Sequence, residues 1–223
     1  MKKKYILCFF VALYFLLMIS FAFIAYAKTC SVALNAKNDK AELQMMNDFI
    51  AKKQQVKKAD KTLVVYYSYT DDTRRLANMI HKKVGGDIFE IQPLVLYPSD
   101  YDVAFAQGRK EVEACFKPQL KNKLEDITEY GTIYIGSPIW FGTIAPPVAS
   151  FLFEQSLAGK TIIPFFTYDG YGVGESNEEI ARLSPNAEVA EGFAIKRTEV
   201  GKSQEKLIQW LNKIKWQQRE LNE

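Results

Sequence analysis

Ser68, Thr70 and Thr73 crowd three hydroxyls into a short polar stretch that also holds Tyr69, Asp71 and Asp72, directly after the apolar run Leu63 to Tyr67. Hydroxyls and backbone N–H groups gathered where a helix begins form an anion site, because the helix dipole and the unpaired donors of its first turn favour negative charge. A phosphate is the obvious guest. Ser, Thr and Asp are also the ordinary caps of a helix start, so the stretch taken alone points more to plain capping than to a phosphate.

Two later stretches carry flat rings. Gly136-Ser137-Pro138-Ile139-Trp140-Phe141-Gly142 sets Trp140 and Phe141 between glycines, and Thr167-Tyr168-Asp169-Gly170-Tyr171-Gly172-Val173-Gly174 adds Tyr168 and Tyr171. Large apolar side chains at such places are wasted on solvent unless they enclose something aromatic or cover a sheet edge. Glycines 136, 142, 170, 172 and 174 let the backbone approach a ring closely, or serve ordinary turns. A phosphate at the first stretch and a planar ring at the other two describe flavin mononucleotide, FMN.

The elements that must position these residues alternate. Leu63 to Tyr67 reads as a buried strand, followed by a helix with Leu76, Ala77 and Ile80 inward and Arg74 and Arg75 outward. Gly85-Gly86 stops that helix, and Ile88, Phe89 and Ile91 form a second strand. Tyr101 to Phe116 reads as a helix with Val103, Ala104, Ala106, Val112 and Cys115 on its buried side, ended by Pro118. Thr132 to Ile135 is a third strand, Pro146-Pro147 opens a helix to Glu154, and Lys160 to Phe166 is a fourth strand. A helix from Glu175 to Leu183, a fifth strand from Val189 to Ile195 and a helix from Ser203 to Lys215 follow. Such alternation predicts an α/β fold with a parallel sheet covered on both faces, whose ligands bind beyond the carboxyl ends of the strands. All three stretches fall at that edge.

Leu63 to Ala77, Gly136 to Ala149 and Thr161 to Gly174 together resemble the flavodoxin family, in its bacterial flavodoxin-like branch, over roughly Lys61 to Lys215. The resemblance implies a three-layer, doubly wound sheet of five parallel strands in the order 2-1-3-4-5, with FMN held non-covalently for electron transfer. It implies that Ser68, Thr70 and Thr73, with the N–H groups from Tyr69 through Asp71 and Asp72 to Thr73, hold the phosphate. It implies that Pro138, Ile139, Trp140, Phe141 and Gly142, with Thr167, Tyr168, Asp169, Gly170, Tyr171 and Gly172, line the ring. The sequence departs from the family at Asp71 and Asp72, where glycine and a neutral residue are usual, and at Tyr168-Asp169. Two carboxylates beside a phosphate oppose it unless they point outward and pair with Arg74 or Arg75.

Lys2, Lys3 and Lys4 precede an uncharged, mostly apolar run from Tyr5 to Ala27 that closes on Ala25-Tyr26-Ala27. This pattern predicts a signal peptide or an N-terminal membrane anchor over 1–27, and hence a domain exported to the periplasm or the cell exterior, or anchored facing outward. Residues 28–60 read as a polar, basic tether with a short amphipathic patch at Leu43, Met46, Phe49 and Ile50, 61–216 as the domain, and 217–223 as a tail. Without the first 27 residues the charge balances at 26 basic and 26 acidic side chains, which argues against a nucleic-acid partner. Cys30 and Cys115 permit one disulfide, or two free thiols. His81, beside Lys82 and Lys83, reads as a surface residue.

The expected activity is therefore electron transfer to a redox partner protein, or reduction of a small acceptor, with no catalytic acid, base, nucleophile or metal from the protein. A binding or scaffold module on the same fold that has lost FMN through Asp71 and Asp72 is the alternative. A built-in nicotinamide domain is disfavoured by the lack of a second dinucleotide motif. Trp140 is expected beside the flavin rather than in the core, so that its removal weakens FMN binding and leaves apo stability almost unchanged.

Overall fold

The computed structural model describes residues 61–170 and 172–220, with side chains placed to Ile214. The leader, the tether and Cys30 lie outside them. No helix of the described residues is long and apolar enough to cross a membrane. The strands are β1 (Lys61–Tyr66), β2 (Asp87–Glu90), β3 (Tyr130–Trp140), β4 (Thr143–Ile144), β5 (Thr161–Tyr168), β6 (Glu188–Val189) and β7 (Phe193–Lys196). The helices are α1 (Asp72–Val84), α2 (Tyr101–Glu113), α3 (Pro146–Glu154), α4 (Ser176–Leu183) and α5 (Gln204–Glu220), with a 3-10 helix at Arg197–Lys202.

The central order is β2-β1-β3-β5, with β6 and β7 both on the outer side of β5 and all these pairings parallel. This is the expected 2-1-3-4-5 order, with the fifth strand delivered in two pieces. Between the pairs Ile162↔Val189 and Phe165↔Phe193, β5 advances three residues while its partner advances four. The ladder bulges there because Pro164, inside that interval, has no N–H to donate. At the other edge, Pro93 bridges Leu120 antiparallel, and Leu94 and Lys121 donate N–H bonds of 2.7 Å to Gln119 and Gln92, so a returning segment pairs with the chain just beyond β2.

Side chains of the central strands alternate between two cores. Leu63, Val65, Ile133, Ile135 and Phe166 point to the side packed by Ala104 of α2, Val148 and Phe151 of α3 and Ile180 of α4. Val64, Tyr66, Tyr134, Ile163 and Phe165 point to the side packed by Leu76, Ala77 and Ile80 of α1 and Leu207, Leu211 and Ile214 of α5. That alternation is the period-2 pattern of strands buried on both faces. It fixes the register, and with it the three strand ends that matter.

Two sequence readings are corrected. The stretch Gly136 to Trp140 is not loop: β3 continues through it, pairing as far as Pro138↔Thr167, and then turns back through Phe141-Gly142 into β4. Phe141 and Gly142 have φ of 53° and 78°, a pair of left-handed residues that a tight two-residue hairpin requires. On α2, Val103, Ala106 and Cys115 are exposed, and the buried residues are Ala104 and Gly108. A Cβ at Gly108 would stand 3.0 Å from the Trp140 ring, so small residues face inward because the indole occupies the space. Hydrophobicity therefore places Ala104 correctly and misplaces Val103, Ala106 and Cys115.

Candidate functional site

The turn after β1 leads into α1 through Asp71, whose φ of 72° lies in the left-handed region and whose side chain caps nothing. Ser68 takes the capping role instead, its Oγ accepting the Arg74 N–H at 3.2 Å. Thr73 is buried with its hydroxyl 2.7 Å from that of Thr167, which ties the first strand end to the third. The Thr70 hydroxyl donates to the Asp72 carboxylate at 3.0 Å. The N–H groups of Asp72 and Thr73, in the first turn of α1, have no helical acceptor by construction and remain donors for an anion.

Both carboxylates of this turn face arginines, Asp71 closely and Asp72 at longer range. Arg74 bonds the Asp71 and Glu90 carboxylates with separate guanidinium nitrogens, and its pKa is raised further above the usual range, chiefly by the Glu90 hydrogen bond. Asp72 lies 3.9 Å from Arg75. Asp71 is thus turned outward and paired, whereas Asp72, its side chain only 17% exposed, stays within the turn beside Thr70, so the condition for tolerating a phosphate is met at Asp71 and not fully at Asp72.

The hairpin after β3 is anchored by Ser137, whose buried hydroxyl accepts the Ala145 N–H at 2.9 Å and donates to the Pro138 carbonyl at 2.8 Å. Its tip is tied to the third stretch by backbone, Glu175 N–H donating to the Gly142 carbonyl at 2.8 Å. Gly174, with φ of 54°, permits this, since a Cβ there would fall 2.0 Å from that carbonyl oxygen. Gly136 likewise serves packing, its position crowded by the Phe165 ring at 2.2 Å from a built Cβ. Gly142, Gly170 and Gly172 face open space. Of the five glycines expected to admit a ring, these three are free to do so.

A cavity of about 600 Å³ opens where the three strand ends converge. Tyr69 and Thr70 line it from the first turn, and Pro138, Ile139, Trp140, Phe141 and Gly142 from the hairpin. Thr167, Tyr168, Asp169, Gly170 and Gly172 line it from the third stretch. Ser68, Asp71, Asp72 and Thr73 build the turn without lining the cavity, and Tyr171 lies outside the described residues. Tyr101, Ala104 and Phe105 of α2 and Arg197 also line it and were not foreseen. Arg197 reaches it by pairing with Asp169 at 3.0 Å. Ala104 reads as an inward residue but not as a cavity wall, Tyr101 and Phe105 sit on a face that hydrophobicity does not mark, and Arg197 carries no motif.

Trp140 is the hub of the wall. Tyr67, Tyr69 and Tyr97 meet its ring edge to face, with centroids 6.0, 6.0 and 4.8 Å away. Burial pushes the Tyr67 and Tyr97 phenols well above their usual range, and at Tyr97 the hydrogen bond given to the Glu111 carboxylate adds to it. The Tyr69 hydroxyl donates to the Pro98 carbonyl at 2.7 Å. Trp140 is thus both cavity wall and packing residue. Helix-terminal donors beside a cavity walled by aromatic side chains and open glycine backbone suit an anionic tail joined to a flat ring system. Among the described residues no acidic, histidine or cysteine cluster could hold a metal.

The flavodoxin family model matches residues 61–214. A candidate flavoprotein from Bacteroides uniformis ATCC 8492 is similar at 32% identity and a TM-score of 0.62, covering 70% of this chain and 99% of its own. Another from Bacteroides eggerthii DSM 20697 is 30% identical with a TM-score of 0.56, covering 64% of this chain and 94% of its own. A Lactobacillus acidophilus NCFM flavoprotein solved in complex with FMN shares the fold at 23% identity and a TM-score of 0.54, covering 65% of this chain and 98% of its own. No curated protein matches the chain.

Proposed function

The chain belongs to the flavodoxin family, and we propose that it binds FMN at the convergent strand ends and transfers electrons through it. The observation that carries this reading is the junction of three strand ends on one cavity of about 600 Å³, with helix-terminal donors at one segment and aromatic walls at the others. The first-turn N–H groups of α1 hold the phosphate, joined by the Thr70 hydroxyl once it turns from Asp72. The hairpin residues Pro138 to Gly142 and the backbone from Thr167 to Gly172 orient the ring and exclude water from it. FMN supplies the redox chemistry, and the protein contributes binding, orientation and electrostatics. Asp169 is held by Arg197, which keeps one carboxylate fixed where it bears on the charge of the ring.

Titration of the full chain with FMN tests this. Saturable uptake with quenched flavin fluorescence supports it, and no uptake under conditions that load an ordinary flavodoxin rejects it. A second reading, a scaffold that has lost FMN, is favoured by Asp71, a non-glycine residue in the left-handed region at the phosphate turn. Asp71→Gly with Asp72→Asn separates the two: binding gained from nothing supports the scaffold, a modest gain supports the flavoprotein.

The partner is a redox protein or a small acceptor. Export through the 1–27 segment, whether cleaved or kept as an anchor, places the domain outside the cytoplasm in this reading, and N-terminal sequencing of the secreted or membrane fraction decides between them.

A further inference from the structure

Beyond the wall formed by Trp140, three rings stand in solvent at the cavity. Tyr101 and Phe105 on α2 are 59% and 47% exposed, and Phe141 at the hairpin tip is 39% exposed. Phe105 and Phe141 meet edge to face at 4.8 Å between centroids, and Tyr101 lies 6.0 Å from Phe105. One turn along α2, Arg109 holds its guanidinium carbon 6.0 Å from the centre of the Phe141 ring. Its other partner is Glu113 at 3.3 Å, an exposed pair that is easily exchanged.

Resting on the flavin reading above, we propose that this rim seats a quinone, a flat ring with two carbonyl oxygens, and that the quinone takes electrons directly from the reduced flavin. Aromatic faces match a flat ring, and a guanidinium offers planar donors and positive charge to an oxygen that gains electron density on reduction. The surrounding charges on α2, Asp102, Arg109, Lys110, Glu111 and Glu113, are of mixed sign and steer no charged protein. Three side-chain rings also fall far short of the roughly 1,000 Å² that a stable protein interface needs. In the step, reduced FMN gives up two electrons and two protons to become oxidised FMN. The quinone takes both electrons and one proton on each oxygen to become the hydroquinone. No oxygen atom moves.

The test uses the full chain loaded with FMN and tetramethyl-p-benzoquinone, whose fully substituted ring gives the exposed Cys115 thiol no carbon to add to. After anaerobic reduction with stoichiometric dithionite, flavin reoxidation should saturate with quinone concentration. Arg109→Gln and Phe105→Ala should each raise the half-saturating concentration about tenfold, a loss of the order of one aromatic or cation contact. Quenching of tryptophan fluorescence in the oxidised protein by the same quinone should shift in parallel. Flavin affinity in Arg109→Gln should stay as in the parent. A rate strictly proportional to quinone and indifferent to both substitutions overturns the proposal. Should the protein take up no FMN, as absorbance shows beforehand, the flavin reading falls separately, and quenching of the flavin-free chain decides the rim. Saturable quenching lost in Phe105→Ala supports the quinone site, and unchanged or absent quenching rejects it. A long-tailed quinone in phosphatidylcholine vesicles, run in parallel, distinguishes a membrane-borne acceptor from a soluble one, and reaction with either supports the ring chemistry.

Discussion

At the turn from Ser68 to Thr73 each of the three hydroxyls is tied by a hydrogen bond, to Arg74, Asp72 or Thr167, and both carboxylates face arginines, Asp71 closely and Asp72 at longer range. At the aromatic wall, Trp140 is held by the edges of three tyrosines, and the rings outside it are left open to solvent. One region is fixed by directional bonds and the other by shape. Directional bonds set the position of an anion to within a few tenths of an ångström, whereas packed rings accept any flat guest of the right thickness. The polar turn therefore selects, and the aromatic wall admits.

The contrast breaks most severely at the backbone link that joins the hairpin to the third stretch. Gly174→Ala should cost roughly 2–4 kcal/mol, because it combines a strained positive φ with an overlap against the Gly142 carbonyl, and chemical denaturation measures it. A stable Gly174→Ala protein would mean that the wall is loosely held. Next in size is Trp140→Ala. The sequence alone led to the expectation of little change in apo stability, but three ring contacts now predict a loss of roughly 2–3 kcal/mol without ligand as well as weaker FMN binding, read by thermal melting and flavin titration.

Thr73→Val sharpens the contrast from the polar side. It leaves the buried Thr167 hydroxyl without its partner, so a loss of about 1–2 kcal/mol is expected; an unchanged melting temperature would show that the bond is dispensable. Alkaline titration probes the wall more gently. Tyr67 and Tyr97 have raised folded-state pKa values, so their contribution is complete below about pH 10, the ordinary tyrosine value, and is lost as pH climbs toward the folded values. Tyr97→Phe should flatten that alkaline fall in stability. The smallest change is expected of Asp71→Gly, where relief of the left-handed backbone offsets the added chain entropy and the lost ion pair, leaving stability within about 0.5 kcal/mol. FMN binding should strengthen, and a weaker affinity would mean that Asp71 is needed to hold Arg74 aside.

The same contrast explains what the sequence discloses. Leu63 to Thr73 is read correctly because its strand, turn and helix are contiguous and their periodicities differ. The Trp140 hairpin is read as a site but not as a strand, since Gly136 and Pro138 look like loop residues while the neighbouring β5 continues the ladder to Pro138↔Thr167. The α2 rim is missed because Tyr101 and Phe105 are exposed for reasons that only the third dimension supplies. Ala104 and Gly108 turn inward solely because an indole from a residue far along the chain fills the space.

The two ends of the sheet carry a further implication. The returning segment at Leu120 pairs with the chain just beyond β2, at Pro93, and the opposite margin is divided into pieces of two and four residues by the bulge opposite Pro164. Unpaired strand margins are the templates on which chains add to one another into fibrils, and the margin at β6 and β7 is blunted by its interruption. Pieces this short give an incoming strand little length on which to pair, so chain-to-chain addition is disfavoured along that margin.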